Sequence, residues 1–100
     1  MNAVSTAPGR ILVVDDDQAI CLVVSEALRR AGHEVKTAGT IADRASLLGA
    51  FRPDILITDV KLPDGDGLDD VQAIIGRWPD MRVIFLSAQN TLNTAVRATE

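Results

Sequence analysis

Cysteine occurs once in the 100 residues, at Cys21, so no internal disulfide is available. That fits a reducing compartment such as the cytoplasm, although a Cys-poor secreted chain would look the same. No uncharged apolar stretch reaches the ~18 residues of a membrane span. The leading residues Met1–Gly9 are small and polar and lack the apolar segment of a signal peptide. A basic excess is also missing. Ten Lys and Arg stand against fourteen Asp and Glu, a net charge of −4, which argues against a nucleic-acid surface, since that would want a basic face. Repeats, low-complexity tracts and blocks of like charge are absent. Histidine also occurs once. His33 follows the helix-ending Gly32 and is expected at the end of the fold away from the acids described below.

What is present suits one small domain with a packed core: 47% of the residues are hydrophobic and 24% charged. Residues 1–9 read as a disordered leader. From residue 10, short apolar runs alternate with helical periods. Ile11–Val14 and Ile55–Thr58 have no polar alternation, as expected of strands buried on both faces of a parallel sheet. Val83–Leu86 is a third such run, and Glu34–Ala38 a shorter strand. Between them, Ile20, Val24, Ala27, Leu28 and Ala31 predict one helical face, with Asp17 as N-cap and Gly32 just past the end. Ala42, Ala45, Leu47 and Leu48 predict a second face behind Thr40 as cap. Leu68, Val71, Ile74, Ile75 and Trp78 predict a third, closed by Pro79. A fourth helix is expected from about Leu92, capped by Asn90 or Thr91. The order β-α-β-α-β-α-β-α implies right-handed crossovers and a doubly wound parallel sheet in three α/β/α layers.

In such a sheet the functional crevice lies outside the carboxyl ends of the strands. Asp15, Asp16, Asp59 and Ser87 all stand at strand ends. Three carboxylates gathered there repel one another by roughly 4 kcal/mol per pair at ~4 Å and an effective dielectric near 20. A hard divalent cation relieves this. With no His or Cys among the donors, Mg²⁺ or Mn²⁺ is favoured over Zn²⁺. A carboxylate beside such a cation can accept a phosphoryl group as an aspartyl phosphate, and Ser87 could hydrogen-bond a phosphoryl oxygen. Each residue also has a plainer reading. Asp15–Asp17 could be a helix N-terminus enriched in acids, Asp59 a turn residue, and Ser87 a loop hydroxyl. Asp64 and Asp66 read as turn formers, and Cys21 as a helix residue without chemistry.

Together, Val13-Val14-Asp15-Asp16-Asp17, Asp59 with Lys61-Leu62-Pro63-Asp64-Gly65-Asp66-Gly67-Leu68, and Leu86-Ser87-Ala88 resemble the receiver domain of bacterial two-component response regulators. The stretch Ser87–Thr91 and the Pro63–Leu68 loop look most like the nitrogen-regulation (NtrC) type. The resemblance runs over residues 10–100 and implies a flavodoxin-like fold. It implies that Asp59 is the phospho-acceptor and reacting residue, served by a sensor histidine kinase, with the chain acting as a phosphorylation-dependent switch rather than an enzyme. Asp15, Asp16, Asp59 and the backbone carbonyl of Lys61 would hold Mg²⁺, with Mn²⁺ as a substitute, and Ser87 would be the switch hydroxyl. Relatives of this type couple the receiver to a sigma-54 ATPase and a helix-turn-helix DNA-binding module, neither of which lies in these residues.

The family continues past the fourth helix into a fifth strand, with a Lys and an aromatic switch residue, and a fifth helix. The chain stops at Glu100, so it reads as a truncated receiver, or the ordered part of a longer protein, with an incomplete C-terminal edge. Lys36 and Lys61 have other places in the pattern and do not replace the missing Lys. An open edge beside Val83–Leu86 is expected to favour a homodimer or an element-swapped assembly. Two other functions fit parts of the pattern. One is a phosphotransferase or phosphatase-like enzyme on the same aspartate, which usually carries a second acid two residues on, where Lys61 stands. The other is an inert docking or dimerisation module.

Overall fold

The computed structural model describes residues 9–86. The elements are β1 (Arg10–Val14), α1 (Gln18–Arg30), β2 (Glu34–Ala38), α2 (Ile41–Phe51), β3 (Ile55–Asp59), β4 (Lys61–Leu62), β5 (Gly65–Asp66), α3 (Val71–Arg77) and β6 (Arg82–Leu86). Four strands form a parallel sheet in the order β2-β1-β3-β6. The expected fourth helix, with its Asn90 or Thr91 cap, lies outside the described residues.

Two of the three unbroken apolar runs, Ile11–Val14 and Ile55–Thr58, became central strands for the expected reason, whereas Val83–Leu86 is not buried on both faces among the described residues. Ile11 and Val13 face one side of the sheet and pack with Val35, Cys21, Val24 and Leu28, under α1. Leu12, Val14 and Leu56 face the other and pack with Leu48, Phe51, Ile74 and Met81, under α2 and α3. These are the three expected layers. β6 is the edge strand among the described residues, and Ile84 and Phe85 on it are exposed.

The helix caps follow the sequence reading. Asp17 Oδ1 accepts from the Ala19 and Ile20 N–H groups at 2.9 and 3.3 Å. Gly32, with φ +98°, turns the chain after α1. Thr40 Oγ1 accepts from the Asp43 N–H at 3.0 Å. Thr40→Ala is expected to cost about 1 kcal/mol of stability, read by urea denaturation. An unchanged midpoint would show that the cap is redundant.

The buried helix faces match those expected in part: Val24, Leu28, Leu47, Leu48, Ile74 and Trp78 pack into the two core clusters, while other positions differ. In α1, Cys21 and Ser25 are buried, while Ala27 is exposed, as is Ala31 just past the helix end. Cys21 and Ser25 lie deepest, with Val24 and Leu28 half-buried beside them. In α2, Ala42 and Ala45 are exposed and the buried positions are Arg44, Leu48 and Phe51, with Ile41 half-buried. That is a regular three-and-four spacing, hidden in the sequence because one member is an arginine. α3 starts only at Val71 and buries Val71 and Ile74, leaving Leu68 and Ile75 exposed. The chain before it is spent in turns, with the Asp69 N–H bonded to the Asp66 carbonyl and the Val71 N–H to that of Leu68. The loop after β3 is also more ordered than a simple turn, because β4 and β5 pair as a small antiparallel ribbon around Pro63 and Asp64.

Candidate functional site

The strand order reverses between β1 and β3, and the carboxyl ends of those two strands carry the acids. In a doubly wound sheet this is where a crevice opens. Asp15, directly after β1, is only 2% exposed, and Asp59, the last residue of β3, is 7% exposed. Asp16 is exposed. One carboxylate oxygen from each lies within 4.8 Å of the other two. Asp15 Oδ1 accepts the Asp17 N–H at 2.9 Å, and Asp59 Oδ1 accepts the Val60 N–H at 2.7 Å. Asp15 Oδ2 is buried without a hydrogen-bond partner among the described residues. The ion pairs found among those residues, Arg10–Glu34 and Arg44–Asp70, neutralise none of the three acids. An open crevice of about 600 Å³ adjoins Asp15 and Asp16, with Gln18, Gly39 and Pro63 also on its wall.

Burial raises the Asp15 carboxyl above its ordinary value. The bond from the Asp17 N–H opposes this, and the charges of Asp59, Asp16 and Asp17 add to it. A buried acceptor without a donor costs about 1–3 kcal/mol. A donor set made only of oxygens, with one oxygen orphaned and its acidity weakened by burial and then by neighbouring negative charge, fits a hard divalent cation. Cys21 stands beside this group but takes no part in it. Its Sγ donates to the Asp15 carbonyl at 3.2 Å, and burial, then the Asp15 charge, pushes the thiol pKa up, so it stays protonated. His33 lies at the other end of β1, where its Nδ1 accepts the Gly9 N–H at 3.1 Å.

The Asp15 carboxyl ionises at a higher pH in the folded chain than in the unfolded one. Its penalty on folding is therefore absent below the unfolded pKa and complete once pH exceeds the folded pKa. Asp15→Asn, which keeps an oxygen for the Asp17 N–H, is expected to raise the metal-free Tm at pH 7.5. The gain should shrink as pH falls through the folded Asp15 pKa. A lower Tm at pH 7.5 would refute this account.

The loop after Asp59 is fixed by contacts that the sequence reading missed. The Asp64 carboxylate accepts the Ile41 and Ala42 N–H groups at 2.8 and 3.0 Å, so it caps α2 from a distant loop. These bonds, chiefly that from Ile41, hold its carboxyl below the ordinary range. Asp66 is the turn former expected, with Oδ1 accepting the Leu68 N–H at 2.9 Å. Gly67 lies against the Asp59 backbone, where a Cβ would stand 2.5 Å from the Asp59 carbonyl oxygen. Arg44, fully buried, reaches the Thr58 hydroxyl, the Gly67 carbonyl and the Asp70 carboxylate. Lys61 is exposed in β4, two residues past Asp59. Ser87 lies outside the described residues, and Leu86, the residue before it, pairs in register with Asp59.

Residues 11–100 match the response regulator receiver domain family. The chain belongs to that family. It is 49% identical over 90 residues to a DNA-binding transcriptional regulator NtrC of Azospirillum brasilense, an alignment covering 90% of this chain and 19% of that protein. It is 33% identical over 88 residues to the photosynthetic apparatus regulatory protein RegA of Cereibacter sphaeroides, covering 88% of this chain and 48% of that one. The chain thus spans about a fifth of the length of its NtrC relatives. Among solved structures, it resembles the beryllofluoride-activated NtrC4 receiver domain dimer with a TM-score of 0.74 and 32% identity, over 90% of this chain and 74% of that one. The non-phosphorylated HemR receiver domain from Leptospira biflexa gives a TM-score of 0.73 and 31% identity, over 90% and 73%. The flavodoxin-like fold and the NtrC-type resemblance expected from the sequence are both borne out. As a receiver domain the chain is a signalling switch rather than a classical enzyme.

Proposed function

We propose that this receiver accepts a phosphoryl group on Asp59 and passes the change in state to a transcriptional output module. The observation that carries the reading is the convergence of Asp15, Asp16 and Asp59 at the ends of two adjacent strands, with a buried carboxylate oxygen left unpaired. Asp15, Asp16, Asp59 and the Lys61 backbone carbonyl would hold Mg²⁺, or Mn²⁺ in its place. The bound cation would offset negative charge on the phosphoryl oxygens. Asp59 Oδ1 is engaged by the Val60 N–H, which leaves Oδ2 as the attacking oxygen. A bond forms between that oxygen and phosphorus as the bond from phosphorus to the donor's leaving atom breaks, the imidazole nitrogen of a kinase phosphohistidine or the acetyl oxygen of acetyl phosphate, which departs with the bonding electron pair. Asp59 is thus nucleophile and acceptor, and Ser87 the hydroxyl that meets a phosphoryl oxygen afterwards.

The phosphoryl donor in this reading is a sensor histidine kinase. The NtrC relatives bear the name of DNA-binding transcriptional regulators. This supports a sigma-54 ATPase and a helix-turn-helix module as the output, with DNA contacted there and not by the receiver. One structural neighbour is a receiver domain dimer, which supports a homodimer here. Among the described residues no helix is long and apolar enough to cross a membrane, and a cytoplasmic place follows from the proposed partners. Residues 10–100 form the receiver unit in this reading, with 1–9 as a leader.

A phosphate-ester hydrolase is not favoured, since Lys61 occupies the place where such an enzyme usually carries its second acid. The test is incubation of the full-length protein with Mg²⁺ and acetyl phosphate, read by intact-mass spectrometry. One added phosphate that neutral hydroxylamine removes is expected. An unlabelled protein, or steady turnover of a general phosphate ester, would reject the proposal.

A further inference from the structure

A wholly buried arginine behind the phospho-acceptor strand is an expensive arrangement, since burying a charge is costly unless it is paired and hydrogen-bonded. Arg44 enters from α2. Its Nη1 donates to the Thr58 hydroxyl at 3.2 Å and to the Gly67 carbonyl at 3.3 Å, and its Nη2 donates to the Asp70 carboxylate. Thr58 immediately precedes Asp59, and its side chain is fully buried. A hydroxyl has one proton to give. Because the guanidinium occupies its acceptor side, that proton goes to the Asp59 carbonyl, at 3.1 Å. The same carbonyl is the atom on which Gly67 packs. One side chain therefore grips the residue before Asp59, the glycine resting on the Asp59 peptide, and the acid just before α3.

We infer that Arg44 is a positioning residue for phosphoryl transfer, holding the Asp59 peptide in its reactive setting through Thr58 and Gly67 without touching the phosphoryl group. The inference rests on Asp59 being the acceptor. The planar fork suits the role. Its two terminal nitrogens are held at a fixed angle and serve three acceptors that belong to different parts of the chain, whereas a lysine ammonium on a flexible stem does not reproduce that geometry. A displacement of the reacting group by about 1 Å can cost on the order of a hundredfold in rate. A partial loosening here is expected to cost about tenfold.

The test uses the full-length protein and the variants Arg44→Met, Arg44→Lys and Thr58→Val, at a temperature where thermal melts show each to be folded. The limiting rate of labelling by acetyl phosphate in Mg²⁺ should fall about tenfold in Arg44→Met, with the half-saturating donor concentration within about twofold of the parent. Arg44→Lys should recover only part of the loss. Arg44→Met combined with Thr58→Val should lose less than the product of the two single effects, because both act on one path. Independently of phosphorylation, exchange of the Val60 and Gly67 amide hydrogens should be faster in Arg44→Met. A folded Arg44→Met with the parent's limiting rate and exchange would overturn the inference and leave Asp59 as acceptor untouched. Multiplicative single effects would overturn the route through Thr58. If Arg44→Met does not fold, Arg44→Lys and Thr58→Val decide it by the same rate and exchange measurements. A parent protein that takes no label would reject the Asp59 reading, while the exchange comparison would still report whether Arg44 fixes the loop.

Discussion

Asp59→Asn is expected to abolish the hydroxylamine-labile phosphate entirely while leaving the fold intact. The amide oxygen can still accept the Val60 N–H that Asp59 Oδ1 now accepts at 2.7 Å, so the end of β3 keeps its local bond. What disappears is the nucleophile. A carboxylate oxygen has a free lone pair and negative charge to give to phosphorus, and an amide has neither in useful measure. Asp15 and Asp16 remain in the variant, so the experiment asks which acid reacts rather than whether the cluster exists. Intact-mass spectrometry after acetyl phosphate treatment, with a thermal melt as the folding control, reads both parts. Label surviving at the parent's level would show that another residue is modified, and the assignment of Asp59 would fall.

Gly67→Ala is expected to be the most damaging single-methyl change in the site. The new Cβ would stand 2.5 Å from the Asp59 carbonyl oxygen and 3.0 Å from that of Val60. Both are backbone atoms at the end of a central strand, so neither can swing aside as a flexible side chain would. The loop is held from behind as well, because the Gly67 carbonyl accepts from Arg44 and the Asp64 carboxylate is tied to the first two amides of α2. Overpacking of this kind costs roughly 1–3 kcal/mol, and the peptide that must yield is the one bearing Asp59. Urea denaturation should show the loss of stability, and the acetyl phosphate reaction a fall in labelling rate. A variant as stable as the parent and labelled at the parent's rate would mean that the loop has slack this close contact does not reveal.

How much of this was legible in the sequence follows from where each residue gets its partners. Ile11–Val14 and Ile55–Thr58 could be read as central strands because burial on both faces leaves an unbroken apolar run. The joining of Asp15, Asp16 and Asp59 could be read because strand ends in a parallel sheet lie side by side. Asp17 and Thr40 could be read as caps because their partners lie two or three residues away. Arg44 could not. Its helix position is set by spacing with Ile41, Leu48 and Phe51, but a charged side chain counts against burial until Thr58, Gly67 and Asp70 are known to surround it. Asp64 reads only as a turn former in the sequence because the N–H groups it accepts lie across the fold, on α2. Ala27 and Ala31 fit a helical period as well as Cys21 and Ser25 do, and only the sheet beneath decides which side packs.

The placing of β1 between β2 and β3 has a consequence for how the protein is made. β1 leaves the ribosome ahead of both strands that flank it, so residues 34–38 must follow before one of its edges is paired, and residues 55–58 before the other. Its apolar run Ile11–Val14 becomes the most deeply buried part of the sheet. In the nascent chain that run has no partner for as long as it takes to synthesise both neighbours. Pairings made only between distant segments fold slowly, and the exposed strand is prone to aggregate in the interval. Yield during synthesis is therefore expected to depend more on the rate at which residues 34–58 appear than on the stability of the finished domain.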